Sequence, residues 1–162
     1  MPTLLVSLSP CLAEDMSERS QNHFSTEISI RARYAETDAM GVVHHASYIV
    51  WLEQGRTELL RVLGVSYREI EAAGFFVVLS DLQVRYHSSA RYDDLVLLRA
   101  TLEGMRSRQM SFAYQLRLEA TGALLVTARS EHIVVSRATG KPARLPPELS
   151  FWMQRRKNAE SI

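Results

Sequence analysis

The stretch RYAETDAMGVVHHASYIVWLEQGRTELLR, Arg33 to Arg61, decides how this chain is read. It begins as a strand end, breaks at Gly41, presents His44 and His45 side by side, and then turns helical. Gly41 permits a backbone angle that other residues resist. From Tyr48 onward the apolar residues follow a helical period. Tyr48, Leu52, Gly55, Leu59 and Leu63 form one stripe with Trp51 and Val62 beside it, while Glu53, Arg56, Thr57 and Arg61 lie off it. Gly64 is a natural stop. Gly55 costs a helix about 1 kcal/mol against alanine. Its place on the apolar stripe is explained if the helix axis comes close to a sheet there.

Working outward, STEISIRARY alternates: Ile28, Ile30, Ala32 and Tyr34 face one way, and Glu27, Ser29, Arg31 and Arg33 the other. That is a half-buried strand. After the long helix, SYREIEAAG reads as a short one, with capping-box spacing from Ser66 to Glu69 and Gly74 at its end. Four strand-like runs follow: FFVVLSDLQVRYHS, DDLVLLRATLEG, QMSFAYQLRLE and ALLVTARSEHIVVS. In the third, Met110, Phe112, Tyr114, Leu116 and Leu118 alternate with polar residues. The short links EGMRSR, EATG and RATGKP imply hairpins and antiparallel pairing.

The order is strand, long helix, short helix, four strands. One apolar helix stripe must be buried on one sheet face, which makes an α+β layer pair. The other sheet face is expected to need cover, with a second copy of the chain as its source. Residues 1–24 show no sustained period and read as a disordered leader, or as codons upstream of a true start at Met16. Residues 25–146 form the domain, and 147–162 read as a C-terminal helix and tail, with Pro147 in its first turn.

Composition narrows the function classes. The chain of 162 residues is sized for one domain with a real core. It is 46 % apolar and 23 % charged, with a formal net charge of +1, so its overall field gives no reason to expect nucleic acid or a membrane surface as partner. No apolar run approaches the ~20 residues of a membrane helix. The single cysteine, Cys11, allows neither an internal disulfide nor a cysteine-based metal site and suits a reducing cytoplasm. Adjacent histidines do not converge on one ion, and there is no HxxxH partner, so no metal and no cofactor are expected.

The residues Tyr34, Thr37, Asp38, Gly41, Val42, Val43, Ala46, Ser47, Tyr48, Arg56, Thr57 and Glu58 carry a family pattern. In that arrangement they resemble the hotdog-fold acyl-CoA thioesterases, of the 4-hydroxybenzoyl-CoA type and its Tol–Pal-associated relatives. ARYDDLVLL is also similar, with Ala90 where members often have proline. The resemblance spans about residues 25–146. It implies a long antiparallel sheet wrapped round one helix, and homodimers or homotetramers with active sites between chains.

Thioester hydrolysis needs a nucleophile or a base for water, and a donor for the carbonyl oxygen as charge develops there. A helix N-terminus offers unpaired N–H groups. By resemblance, Asp38 is the nucleophile or general base. The loop alone would equally suit an aspartate that caps a turn beside Gly41. The resemblance implies that the His45 backbone N–H points at the thioester oxygen; the loop alone would make His45 a residue that helps start the helix. Tyr34 is a candidate to orient the carboxylate, or a core aromatic with its hydroxyl at the rim. Gly41, Val42 and His44 are expected to shape the pocket, and Trp51 to line it. Arg106 and Arg108, in a basic turn, are candidates for the CoA phosphates, as are Lys141 and Arg144. Glu53 and Glu58 are expected to pair with Arg56 and Arg61 on the helix surface. Other readings of the same residues are a non-catalytic acyl-CoA-binding module, an acyl-acyl carrier protein hydrolase, and a hydratase or dehydratase.

Overall fold

The computed structural model describes residues 24–147. The leader expected over 1–24 and the helix and tail expected over 147–162 fall outside these residues, apart from Phe24 and Pro147. The chain runs β1 (Phe24–Arg31), a 3-10 turn (Tyr34–Glu36), α1 (His45–Val62) and α2 (Tyr67–Ala72). Then come β2 (Phe75–Tyr86), β3 (Leu95–Arg106), β4 (Gln109–Leu118) and β5 (Leu124–Ser136). The strands form one antiparallel sheet in the order β1-β3-β4-β5-β2.

That order explains why the helix lies where it does. β3, β4 and β5 are joined by hairpins and fill the centre, while β1 and β2 take opposite edges. The connection from β1 to β2 must therefore cross the whole sheet, and α1 travels with it. Its buried residues are Tyr48, Trp51, Leu52, Gly55, Leu59 and Leu60. They meet Leu98, Ala100 and Leu102 of β3, Met110, Phe112 and Leu116 of β4, and Val126 and Val134 of β5 in one core. Fully burying each large side chain contributes about 1.5–3 kcal/mol. Gly55 has the close approach expected of it: a Cβ built there would collide with Leu98 Cδ2 and touch Ala100 Cβ. The Ser66–Glu69 capping box is present, with the Glu69 carboxylate 2.7 Å from the Ser66 amide. No helix among the described residues is long and apolar enough to cross a membrane.

Four local expectations are corrected. β1 ends at Arg31 rather than running to Tyr34, and Tyr34 is 78 % exposed. The reason lies in the next turn: the Glu36 carboxylate accepts from the Arg33 amide and the Glu36 amide donates to the Arg33 carbonyl, which curls the backbone out of the pleat. Second, Val62 is 63 % exposed while Leu60 is fully buried. The Val65 amide bonds to the Leu60 carbonyl at 3.0 Å, folding the chain back on Leu60's side of the helix. Third, β3 continues to Arg106 through a bulge between Leu102 and Gly104, so the link to β4 is only Ser107–Arg108.

Fourth, the outer sheet face needs little cover. Arg99, Gln115, Thr127 and Arg85 form one row across it, and Thr101, Ala113, Arg129 and Gln83 the next. Glu103 pairs with Arg129, and the Ser111 hydroxyl donates to Glu131 at 2.6 Å. Side chains of this kind are content in water; the exposed apolar part is a corner at Phe76 and Val78.

Candidate active site

The loop between β1 and α1 is a small hairpin in its own right. Thr37 and Val43 face each other in a bridge. Inside it the Asp38 amide donates to the Val42 carbonyl at 2.9 Å, and the Gly41 amide to the Asp38 carbonyl at 2.9 Å. Asp38 opens the turn and Gly41 closes it with φ +74°, the arrangement of a three-residue loop with a glycine bulge. The half-buried Asp38 side chain accepts from the Met40 amide at 2.8 Å through one oxygen, as an aspartate at the head of such a turn does. Both roles foreseen for Asp38 are thus compatible: one oxygen fixes the turn, and among the described residues the other has no partner.

His44 and His45 divide the work at the helix start. His44 is the N-cap, its Nδ1 accepting from the Ala46 amide at 3.2 Å. His44, expected to shape the pocket, thus caps the helix. His45 is the first residue of α1, and among the described residues its N–H has no hydrogen-bond partner. Its carbonyl accepts from the Tyr86 hydroxyl at 3.0 Å. The two imidazole rings lie 4.1 Å apart and both are exposed.

Glu36 was not foreseen as a site residue, although its spacing of three from Arg33 was a readable hint. It is buried, 9 % exposed. Its carboxylate accepts from the Arg33 amide at 2.8 Å, the Arg33 guanidinium at 2.8 Å and the Trp51 indole N–H at 3.0 Å. Its carbonyl accepts from the His44 amide at 2.8 Å and the Ser47 hydroxyl at 3.2 Å. Burial alone would push the carboxyl up; the bonds from Arg33 and Trp51 outweigh it and hold the group below its ordinary range. Tyr48 was also missed as a polar residue. Its hydroxyl accepts from the buried Ala90 amide at 2.9 Å, and the Ala90 carbonyl accepts from Val43 at 2.8 Å.

The remaining candidates separate. Gly41, Val42, His44 and His45 lie with Asp38 at one end of the sheet. Tyr34 stands edge-on to Tyr92, ring centres 5.8 Å apart, and no hydrogen bond joins it to Asp38 among the described residues. Trp51 is 2 % exposed, its N–H spent on Glu36. It lines a groove of about 890 Å³ between β1 and α1, whose other walls carry charges of both signs. Arg106 and Arg108 sit at the far end of β3; with eleven steps from Leu95, that is about 35 Å from the Asp38 end of the same chain.

Glu58 and Arg61 form the expected pair at 3.0 Å. Arg56 does not pair with Glu53. It turns inward, Nε to the Tyr67 hydroxyl at 2.7 Å and a guanidinium nitrogen 3.3 Å from His132 Nε2. Among the described residues no cluster of three or more His, Cys, Asp or Glu is placed to hold a metal ion.

An antiparallel sheet wrapped on one long helix is the hotdog fold. The chain belongs to the thioesterase-like superfamily, whose model matches residues 32–153, and it is a thioester hydrolase. It is 32 % identical over 120 residues to the acyl-CoA thioester hydrolase YbgC of Escherichia coli, covering 74 % of this chain and 89 % of that one. It is 30 % identical over 121 residues to the acyl-CoA thioesterase YbgC of Haemophilus influenzae, covering 74 % and 88 %. Among solved structures, the DHNA-CoA thioesterase from Staphylococcus aureus superposes with a TM-score of 0.77 at 31 % identity, over 85 % of this chain and 91 % of that one.

Proposed function

We propose that this chain hydrolyses acyl-CoA to the free acid and CoA, with Asp38 as the reacting carboxylate and the start of α1 as the carbonyl's donor. The observation that carries the reading is that the hairpin and the helix start it leads into each leave one group without a partner among the described residues: the Asp38 oxygen left over from the turn, and the His45 N–H left over from the helix. In the nucleophilic route, Asp38 attacks the thioester carbon, the C–S bond breaks, CoA leaves as thiolate, and water hydrolyses the resulting anhydride. In the general-base route, Asp38 takes a proton from water as water attacks the same carbon. Either way negative charge grows on the carbonyl oxygen, where an unpaired N–H at the positive end of a helix is worth most.

Assembly completes the site in this reading. β2 is a twelve-residue edge strand with Phe76, Val78, Leu79 and Tyr86 exposed along it. An unpaired edge of that length is a template for another strand. Two copies joined along β2 about a two-fold axis would set the partner's β3–β4 hairpin at the Asp38 end of this sheet, and that gives Arg106 and Arg108 a route to the CoA phosphates.

Release of free thiol from a panel of aliphatic and aromatic acyl-CoAs, wild type beside Asp38→Asn, tests the reading. Turnover present in the wild type and lost in the variant is the expected result. Turnover only on acyl-acyl carrier protein would change the carrier assigned. Tight binding of acyl-CoA with no thiol released from any ester would mean that this chain has lost the chemistry of its family.

A further inference from the structure

The Asp38 hairpin is closed by bonds among its own residues, Asp38 to Val42, Gly41 to Asp38 and Met40 to the Asp38 side chain. Those bonds fix the shape of the loop. They do not fix where the loop stands relative to α1, and a reacting carboxylate is only as good as its placement. Placement has to come from residues that touch both the loop and the helix.

We propose that Glu36 is the positioning residue of this site, holding the Asp38 hairpin in register with the N-terminus of α1. Two residues before Asp38, it binds the helix twice: its carboxylate takes the indole N–H of Trp51 on the buried face, and its carbonyl takes the His44 amide and the Ser47 hydroxyl in the first turn. Its third anchor is Arg33, which fixes the end of the strand side. The two carboxylate oxygens meet only N–H donors. Glutamine would present its own NH2 to at least one of them, so the charge-bearing acceptor is required and not merely the shape. Because Trp51 is buried and its N–H has only the Glu36 carboxylate to donate to among the described residues, removing that acceptor orphans the indole, a cost water cannot relieve; removing the indole leaves the carboxylate held by Arg33 alone and free of the helix.

The inference rests on Asp38 being the reacting carboxylate, and the test keeps the two apart. Steady-state kinetics of thiol release are measured for wild type, Asp38→Asn, Glu36→Gln and Trp51→Phe, each shown folded by circular dichroism and assayed well below its unfolding midpoint. In Glu36→Gln, kcat should fall about 10–100-fold with KM changed less than about threefold, as for a misplaced catalytic group. Trp51→Phe, which keeps an aromatic side chain but loses the N–H together with the five-membered ring, should show the same split at several-fold. Should Glu36→Gln fail to fold, Trp51→Phe decides alone. The proposal is overturned if the folded variants keep wild-type kcat, if KM rises while kcat holds, or if Glu36→Gln is as dead as Asp38→Asn, which would make Glu36 a reacting group itself. Full turnover in Asp38→Asn would sink the reading of the site, whatever Glu36 does.

Discussion

At its N-terminus α1 leaves the His45 N–H without a partner among the described residues, and the short hairpin that leads into the helix carries a half-buried Asp38. Three turns along, the same helix sends Arg56 inward to Tyr67 and His132, and the ring of polar groups closes on itself. The Tyr114 hydroxyl and His132 Nε2 both lie 2.9 Å from the Ser130 hydroxyl. Burial raises the Tyr67 phenol to about 12, and burial with the Arg56 charge lowers the His132 imidazole to about 4. One cation therefore stands among neutral partners, and among the described residues only His132 Nδ1 is buried without a bond. The contrast sharpens the proposed reading. In that reading the groups offered for chemistry are a donor and an acceptor left open at the helix mouth, whereas the groups under the helix, His132 Nδ1 apart, are spent on each other.

Asp38→Asn should break the contrast most sharply. Asparagine can still accept from the Met40 amide, so the turn stays, yet turnover should fall at least about 1000-fold, or about 4 kcal/mol, with the melting temperature nearly unchanged. Equal losses of stability and turnover would mean that Asp38 acts mainly as a turn residue.

The buried region should answer to acid instead. The folded His132 titrates near 4 and the unfolded residue near 6.5. Between those values the unfolded chain holds a proton that the folded chain refuses. The stability present above pH 6.5 is therefore lost as pH falls, by about 3 kcal/mol at pH 4. Urea titrations at pH 7 and pH 4 should show that loss in the wild type and about 3 kcal/mol less of it in His132→Gln. Equal pH dependence in the two proteins would remove His132 from the account.

Gly55→Ala sits between the two regions and should cost about 1–3 kcal/mol through overpacking against Leu98, read as a lower denaturant midpoint with kcat nearly unchanged. His45→Ala should be the mildest, about tenfold or less in kcat, because the backbone N–H remains. A loss as large as that of Asp38→Asn would move the imidazole to the centre of the chemistry.

The sheet and α1 were legible because their patterns are local. β4 alternates as read, and Gly55 on an apolar stripe announced a close approach. The errors arose where a particular bonding partner, distant or close, overrides the local pattern. Arg56 looks like a surface partner for Glu53 until Tyr67 and His132 arrive from α2 and β5. Tyr34 continues an alternation that Glu36 ends by capturing the Arg33 amide. Asp38, Gly41 and the start of α1 lie in one short stretch, so the family resemblance could mark them together as the candidate site. The spacing from Arg33 hints at Glu36, but its burial shows only once Trp51, a helical turn and a half into α1, is seen to reach it, and the separation of Arg106 and Arg108 from Asp38 follows from β1 ending opposite Leu95, the other end of β3.

The Ala90–Tyr48 bond carries a consequence for how this sequence can change over time. Ala90 is fully buried and its amide depends on the Tyr48 hydroxyl. In this background Tyr48→Phe orphans a buried donor. A chain with proline at position 90, as the family resemblance makes familiar, has no amide there to orphan, and the same exchange becomes nearly free. The two positions are therefore epistatic, and the path has a direction: the hydroxyl can be lost only after the amide has gone.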